Sequence, residues 1–233
     1  MFNPAYGDAI PPRVPTGRLE AALFDMDGLL LDSEPVWSIA EAEIMEWLGG
    51  PWNLDVKAAC LGKRVDESCR VLVEIAGSDH SPVEVMDRLL ARMCNLYREH
   101  LPFLPGAREL LDALGAAGVP TALVSSSYRV LVDTALETIG AERFAATIAG
   151  DEVVHAKPHP EPYLRAAGAL DVHPADCVVF EDSPMGVLAA ESAGCVAVAV
   201  PNVVAVADAP GRHVVPSLEK VDVEWLRAVV SGR

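Results

Sequence analysis

Positive charge is scarce in this chain of 233 residues: 18 lysines and arginines stand against 34 aspartates and glutamates, for a net charge of −16. A field of that sign repels nucleic acid and anionic lipid, so neither is expected as a partner. It also repels phosphorylated metabolites, so any phosphate site must be locally positive. Cysteine is sparse too. The five thiols, Cys60, Cys69, Cys94, Cys177 and Cys195, are odd in number and never form a C-x-x-C pair. They read as reduced core filler in a cytoplasmic protein. Long hydrophobic runs are missing: a stretch such as Cys195 to Pro201 is far too short to span a bilayer and suits a buried strand. The first 17 residues lack the apolar core of a signal peptide and carry Pro4, Pro11, Pro12 and Pro15, so they are expected to form a flexible tail. Internal repeats are absent.

What is present is enough apolar residue to build a core: 51% of the chain, against 22% charged, which excludes global disorder. Short apolar runs recur at Leu19–Phe24, Pro120–Val124, Ala145–Ala149, Cys177–Phe180 and Cys195–Val200. Between them lie segments of helical period. Leu110, Leu111 and Leu114 mark one, closed by Gly118, and Leu131, Ala135 and Ile139 another, closed by Gly140. Tyr163, Ala166, Ala167 and Leu170 mark a third. Pro184 to Ala193 is a fourth, with Ser183 as N-cap and Gly194 just past its end. Strands alternating with helices predict an α/β protein with a doubly wound parallel sheet, helices on both faces. From 35 to 100 no strand is expected. There Trp37, Ala40, Ile44, Trp47 and Leu48 recur at helical spacing, with Glu41 and Glu46 on the polar side. This stretch reads as an inserted helical module, leaving 18–34 and 101–233 as the core.

Ligands of an open parallel sheet bind outside the carboxyl ends of its strands. Those ends carry Asp25 and Asp27, then Ser125, Ser126 and Ser127, then Glu181 and Asp182, and Lys157 stands before the third helix. Asp25, Asp27 and Asp182 supply hard oxygen ligands and Glu181 could hold a metal-bound water, a donor set of the magnesium type. Asp25 is a candidate nucleophile toward phosphorus, which a cation would assist by neutralising charge. Lys157 can pair with phosphate oxygens, Ser125 can donate to them, and the Ser126 and Ser127 amides precede a helix N-terminus, an anion site. Asp27 is placed to protonate a leaving group and later activate water. The six histidines show no metal-ligand spacing.

Phe24-Asp25-Met26-Asp27-Gly28-Leu29-Leu30-Leu31-Asp32-Ser33-Glu34 resembles the first motif of the haloacid dehalogenase superfamily. Val124-Ser125-Ser126-Ser127, Lys157-Pro158-His159-Pro160 and Phe180-Glu181-Asp182-Ser183 resemble its second, third and fourth motifs, in order and at fitting spacing. The insertion resembles the family's helical cap of the first type (C1). The resemblance implies a Rossmann-like core and magnesium-dependent phosphoryl transfer through an aspartyl-phosphate. It implies Asp25 as nucleophile, Asp27 as acid and base, Ser125 and Lys157 as phosphate ligands, and Asp182 with the Asp27 backbone carbonyl on the metal, Glu181 behind it. Gly28, Ser126, Ser127, Trp37 and Arg64 are the further residues expected around phosphate and substrate.

Asp27 separates this sequence from the dehalogenase branch, which lacks the acid/base aspartate. Asp32-Ser33-Glu34-Pro35-Val36-Trp37 is similar to hexitol and 2-deoxyglucose-6-phosphate phosphatases. In the neighbouring β-phosphoglucomutases a cap histidine aligns with Trp37 and a phosphate-gripping arginine with Val65. Gly62-Lys63-Arg64 joins two expected cap helices and could descend over the site. The expectation is therefore a monomeric phosphatase acting on a small phosphorylated metabolite, a sugar or polyol phosphate, with a β-phosphoglucomutase-type phosphomutase as the alternative.

Overall fold

The computed structural model describes residues 14–60 and 63–232. Six parallel strands form one sheet in the order β3-β2-β1-β4-β5-β6. They are β1 (Ala21–Phe24), β2 (Thr121–Val124), β3 (Ala146–Ile148), β4 (Cys177–Glu181), β5 (Val196–Ala199) and β6 (His213–Val214). The first five are the expected apolar runs. β6 is a two-residue edge strand, only partly covered, and such a short half-exposed pair carries no period to read.

Every residue of β1, β2, β4 and β5 is buried, which explains why they are apolar but for Thr121 at the start of β2 and Glu181 at the end of β4. Alternate side chains go to opposite faces. Phe24, Leu123, Phe180 and Val198 enter one layer, where the Phe24 and Phe180 rings stack at 4.8 Å. Leu23, Val124, Val179 and Ala197 enter the other. The first layer is closed by α5 (Ala107–Ala116), α6 (Arg129–Ile139) and α9 (Val223–Ser231) through Leu110, Leu131 and Leu226. The second is closed by α7 (Glu161–Ala169) and α8 (Pro184–Ser192) through Tyr163, Ala166, Val187 and Ala190. The small alanines let these two helices lie close to the sheet.

Four helices separate β1 from α5: α1 (Glu34–Leu48), α2 (Leu54–Cys60), α3 (Val65–Ala76) and α4 (Pro82–Glu99). They form the helical cap, with Ala40, Ile44, Leu72, Leu89 and Met93 in its interior. Local chemistry sets the helix ends. Ser81 Oγ accepts from the Glu84 amide at 3.2 Å to open α4, and α1 stops at Gly49, whose φ of +77° suits glycine. One cap expectation is corrected. Glu41 does not sit on a solvated polar side; it is 6% exposed and turned inward.

Of the expected tail, residues 1–13 lie outside the described residues. The Thr16 and Gly17 amides donate to the buried Asp176 carboxylate at 2.7 and 2.9 Å. Among the described residues no helix is long and apolar enough to cross a membrane. The chain runs from β1 outward through β2 and β3, then returns to β4 on the other side of β1. This reversal leaves a crevice at the carboxyl end of β1.

Candidate active site

Asp25 is the first residue beyond β1, and its amide is fixed by the Phe180 carbonyl of β4 at 3.1 Å. Its carboxylate meets Lys157, which enters from the loop before α7. The Lys157 Nζ donates to Asp25 Oδ1 at 2.5 Å, to Glu181 Oε1 at 2.6 Å and to the Val124 carbonyl at 2.9 Å. One ammonium thus joins the ends of β1, β2 and β4. Burial works against its charge, but Asp25 and Glu181 outweigh burial and hold it above the usual lysine range.

Glu181 is aimed by more than Lys157. The Tyr163 hydroxyl donates to its Oε1 at 2.7 Å, and the Ser183 amide and hydroxyl donate to Oε2 at 3.2 and 3.0 Å. The approach is tight: a Cβ on Gly186 of α8 would lie 1.8 Å from Oε1. With both oxygens held by protein donors, Glu181 acts on Lys157 and keeps its ammonium beside Asp25. Tyr163 was legible only as an apolar helix marker; its hydroxyl role was not.

Asp27 is held differently. Its Oδ1 accepts from Ser33 Oγ and from Tyr97 OH, each at 2.8 Å. Its Oδ2 accepts from Ser127 Oγ at 2.8 Å and Ser125 Oγ at 3.2 Å. Four hydroxyls from two separate loops and helix α4 therefore fix one carboxylate. Hydroxyls can turn to donate or accept, so the set can follow a change of protonation. Ser125 and Ser127 were expected at the phosphate; here both hydroxyls point to Asp27. Ser126, between them, is the exposed one and lines the cavity.

Carboxylate oxygens of Asp25, Glu181 and Asp182 lie within 4.8 Å of one another. Burial and the neighbouring Asp25, Asp27 and Glu181 charges leave this corner short of positive charge, with Lys157 alone to offset them. Burial first, then Glu181, raises Asp182 to about 8, with Lys157 opposing and Asp27 adding to the rise. Burial likewise raises Asp25 well above the carboxylate range, against the pull of Lys157. A corner of hard oxygens that resists carrying its own charge fits a divalent cation of the magnesium type. Gly28 borders it with φ +79°, and a Cβ there would lie 2.4 Å from Asp182 Oδ2. Asn202 Nδ2 ties the Gly28 carbonyl at 3.1 Å, a partner the sequence did not announce.

These residues open into a cavity of about 470 Å³ that runs from Asp25, Asp27, Ser126, Lys157 and Asp182 to the cap. Its cap wall includes Trp37, Glu41, Lys57, Lys63 and Val65. Arg64 does not line the cavity: its Nε is 3.3 Å from Asp66 Oδ1, on the next residue but one. Its neighbour Lys63 takes the cavity side, and Gly62 lies outside the described residues. One set of histidines does cluster. His155, His159 and Glu161 lie within 4.8 Å of each other, but at the surface. There Glu161 accepts from the Val154 and His155 amides at 2.9 Å each, which makes the trio a loop closure ahead of α7.

The family model described as haloacid dehalogenase-like hydrolase matches residues 19–194, spanning strands β1 to β4 and helix α8. The chain belongs to the haloacid dehalogenase-like hydrolases. Hexitol phosphatase B of Escherichia coli (strain K12) is 34% identical over 192 residues, covering 78% of this chain and 83% of that protein. The phosphorylated carbohydrates phosphatase of Thermotoga maritima is 34% identical over 177 residues, covering 76% and 82%. The crystal structure of CbbY from Rhodobacter sphaeroides in complex with phosphate matches with a TM-score of 0.78 at 26% identity, over 87% of this chain and 96% of that one. Named phosphatases of this family at such identity, over most of both chains, make this haloacid dehalogenase-like hydrolase a phosphatase.

Proposed function

We propose that the chain hydrolyses a small phosphomonoester of a sugar or polyol, by two phosphoryl transfers through Asp25. The Asp25 carboxylate attacks phosphorus as the ester bond breaks. Asp27, protonated, gives its proton to the departing alkoxide. Asp27, now ionised, takes a proton from water, whose oxygen attacks the acyl-phosphate, freeing inorganic phosphate and restoring Asp25. Lys157 lies against Asp25 and would pair with the phosphoryl oxygens. A magnesium ion held by Asp25, Asp182 and the Asp27 backbone carbonyl would supply charge neutralisation at those oxygens. The cap wall shields the reacting atoms from bulk water.

The observation that carries this reading is the pairing of two unlike carboxylates at one cavity floor: Asp25 against an ammonium, Asp27 among four hydroxyls. Hexitol phosphatase B and the phosphorylated carbohydrates phosphatase support the substrate class. Hydrolysis rather than mutase action is supported by the cap wall. Trp37 and Val65 line it at the positions aligned with the mutase histidine and arginine.

The test is phosphate release from a panel of sugar and polyol phosphates, with magnesium and after its removal by EDTA. Release is expected to require magnesium. Asp25→Asn is expected to lose at least about 10³-fold in kcat while unfolding at an unchanged temperature. Turnover by the purified variant near the wild-type rate would end the assignment. Conversion of β-glucose 1-phosphate to glucose 6-phosphate with a bisphosphate primer, in place of phosphate release, would install the mutase reading instead.

A further inference from the structure

Glu41 has no part in the chemistry above, yet its position is unusual. It lies in the middle of α1, one turn after Trp37, and both line the cavity. Its side chain belongs to a residue only 6% exposed, and what exposure it has faces the cavity. No described residue donates a hydrogen bond to its carboxylate or pairs with it. The nearby Lys57 is already engaged: its Nζ donates to Ser38 Oγ at 2.5 Å and pairs with Glu34 Oε2 at 3.4 Å. Burial, followed by the Glu34 charge, raises Glu41 to about 7, with Lys57 opposing. Buried carboxylates are ordinarily satisfied by donors. Here no described residue supplies a donor, and the open direction is the cavity a substrate would fill.

We propose that Glu41 is a specificity-determining residue that accepts hydrogen bonds from hydroxyl groups on the leaving-group portion of the substrate, and so selects phosphate esters of neutral polyhydroxylated alcohols. The inference rests on the phosphomonoester hydrolase reading and names what that site discriminates. The Trp37 ring beside it gives an apolar face for the carbon side of such a chain. Glu41 supplies the polar side. Above pH 7, where Glu41 is ionised, a leaving group carrying its own carboxylate or second phosphate would meet it charge to charge and be refused. A leaving group with no hydroxyl would leave Glu41 without donors and gain nothing from it.

The experiment compares kcat/KM for three probes: glucitol 6-phosphate, phenyl phosphate and phosphoglycolate. It uses the full chain, Glu41→Gln and Glu41→Leu. Gln keeps the shape and removes the charge; Leu removes both polar atoms, so a folding failure in one leaves the other to report. Circular dichroism establishes that each variant is folded. The expected result is at least a tenfold fall in the glucitol 6-phosphate to phenyl phosphate ratio in Glu41→Leu, carried mainly by KM. The phosphoglycolate to phenyl phosphate ratio is expected to rise in Glu41→Gln. Folded variants whose two ratios stay within threefold of wild type would overturn the inference. So would a wild-type protein that cleaves phenyl phosphate in preference to glucitol 6-phosphate, and that result would leave the hydrolase reading standing. A wild-type protein inert toward all three overturns the reading beneath the inference, and the inference with it.

Discussion

The two ends of the cavity are built on opposite rules. At the core end the polar atoms are bonded to one another. Lys157 has three acceptors, Glu181 has four donors and Asp27 has four. At the cap end Glu41 lines the cavity with no donor among the described residues, beside Trp37, Cys60 and Val65. A closed network fixes reacting groups within the tolerance that chemistry needs. A carboxylate turned to the cavity with no described protein donor is left free to bond what enters. The difference separates what is constant in the reaction from what is chosen about its substrate.

That contrast can be attacked from its strong end first. Lys157→Met leaves Asp25 and Glu181 facing each other with the shared cation gone. Stability is expected to fall by about 3–5 kcal/mol by chemical denaturation, with phosphatase activity lost. A variant as stable as wild type would mean the closed network is not what fixes this end.

At the cap end the sign reverses. The folded state holds Glu41 near 7, above its unfolded value of 4.5, so the folded protein binds the extra proton between those pH values. Stability from this group is complete below about pH 4.5 and is lost as pH rises through 7. Glu34 and Lys57 are the charged groups facing it. Glu41→Gln is expected to remove that decline and to be more stable than wild type at pH 8 by roughly 2–3 kcal/mol. Melting temperatures from pH 5 to 8 check this, and parallel curves for the two proteins would refute it.

Tyr97→Phe takes one donor of four from Asp27. A loss of about tenfold in kcat is expected on alkyl phosphates, whose leaving groups need a proton, and a smaller loss on p-nitrophenyl phosphate, whose leaving group does not. Equal losses on both would assign Tyr97 to folding alone. The smallest effect is at the cap surface. Arg92, half-buried, and Glu43, exposed, tie α4 to α1 at 2.6 Å, so Arg92→Ala is expected to cost under about 1 kcal/mol and less in high salt.

Local signals carried most of the fold. Strands β1 to β5 were legible because both of their faces are buried, and helices α5 to α8 because glycine, serine and proline mark their ends. Three of the four candidate-site loops were legible for a related reason: each polar group follows an apolar run at once, so position and type are read together, whereas Lys157, well past the end of β3, was legible through the Lys-Pro-His-Pro resemblance. Partnerships across long separations were not legible. Tyr97 lies 70 residues from Asp27, and nothing in α4 marks its hydroxyl as different from any helix-packing tyrosine. Glu41 was misread because a charged residue on an amphipathic helix defaults to the water side, and only the position of α2 and α3 makes that side a cavity. Arg64 was misplaced by one residue: at the start of a helix, a single step turns the side chain from the cavity to Asp66.

The donors to Asp27 have one further consequence. Two of them stand at the two crossings between the sheet and the inserted helices: Ser33 immediately before α1, and Tyr97 in the last turn of α4. The Asp27 carboxylate is thereby tied to both crossings at once, so the junction of sheet and insertion is written into the setting of a single side chain.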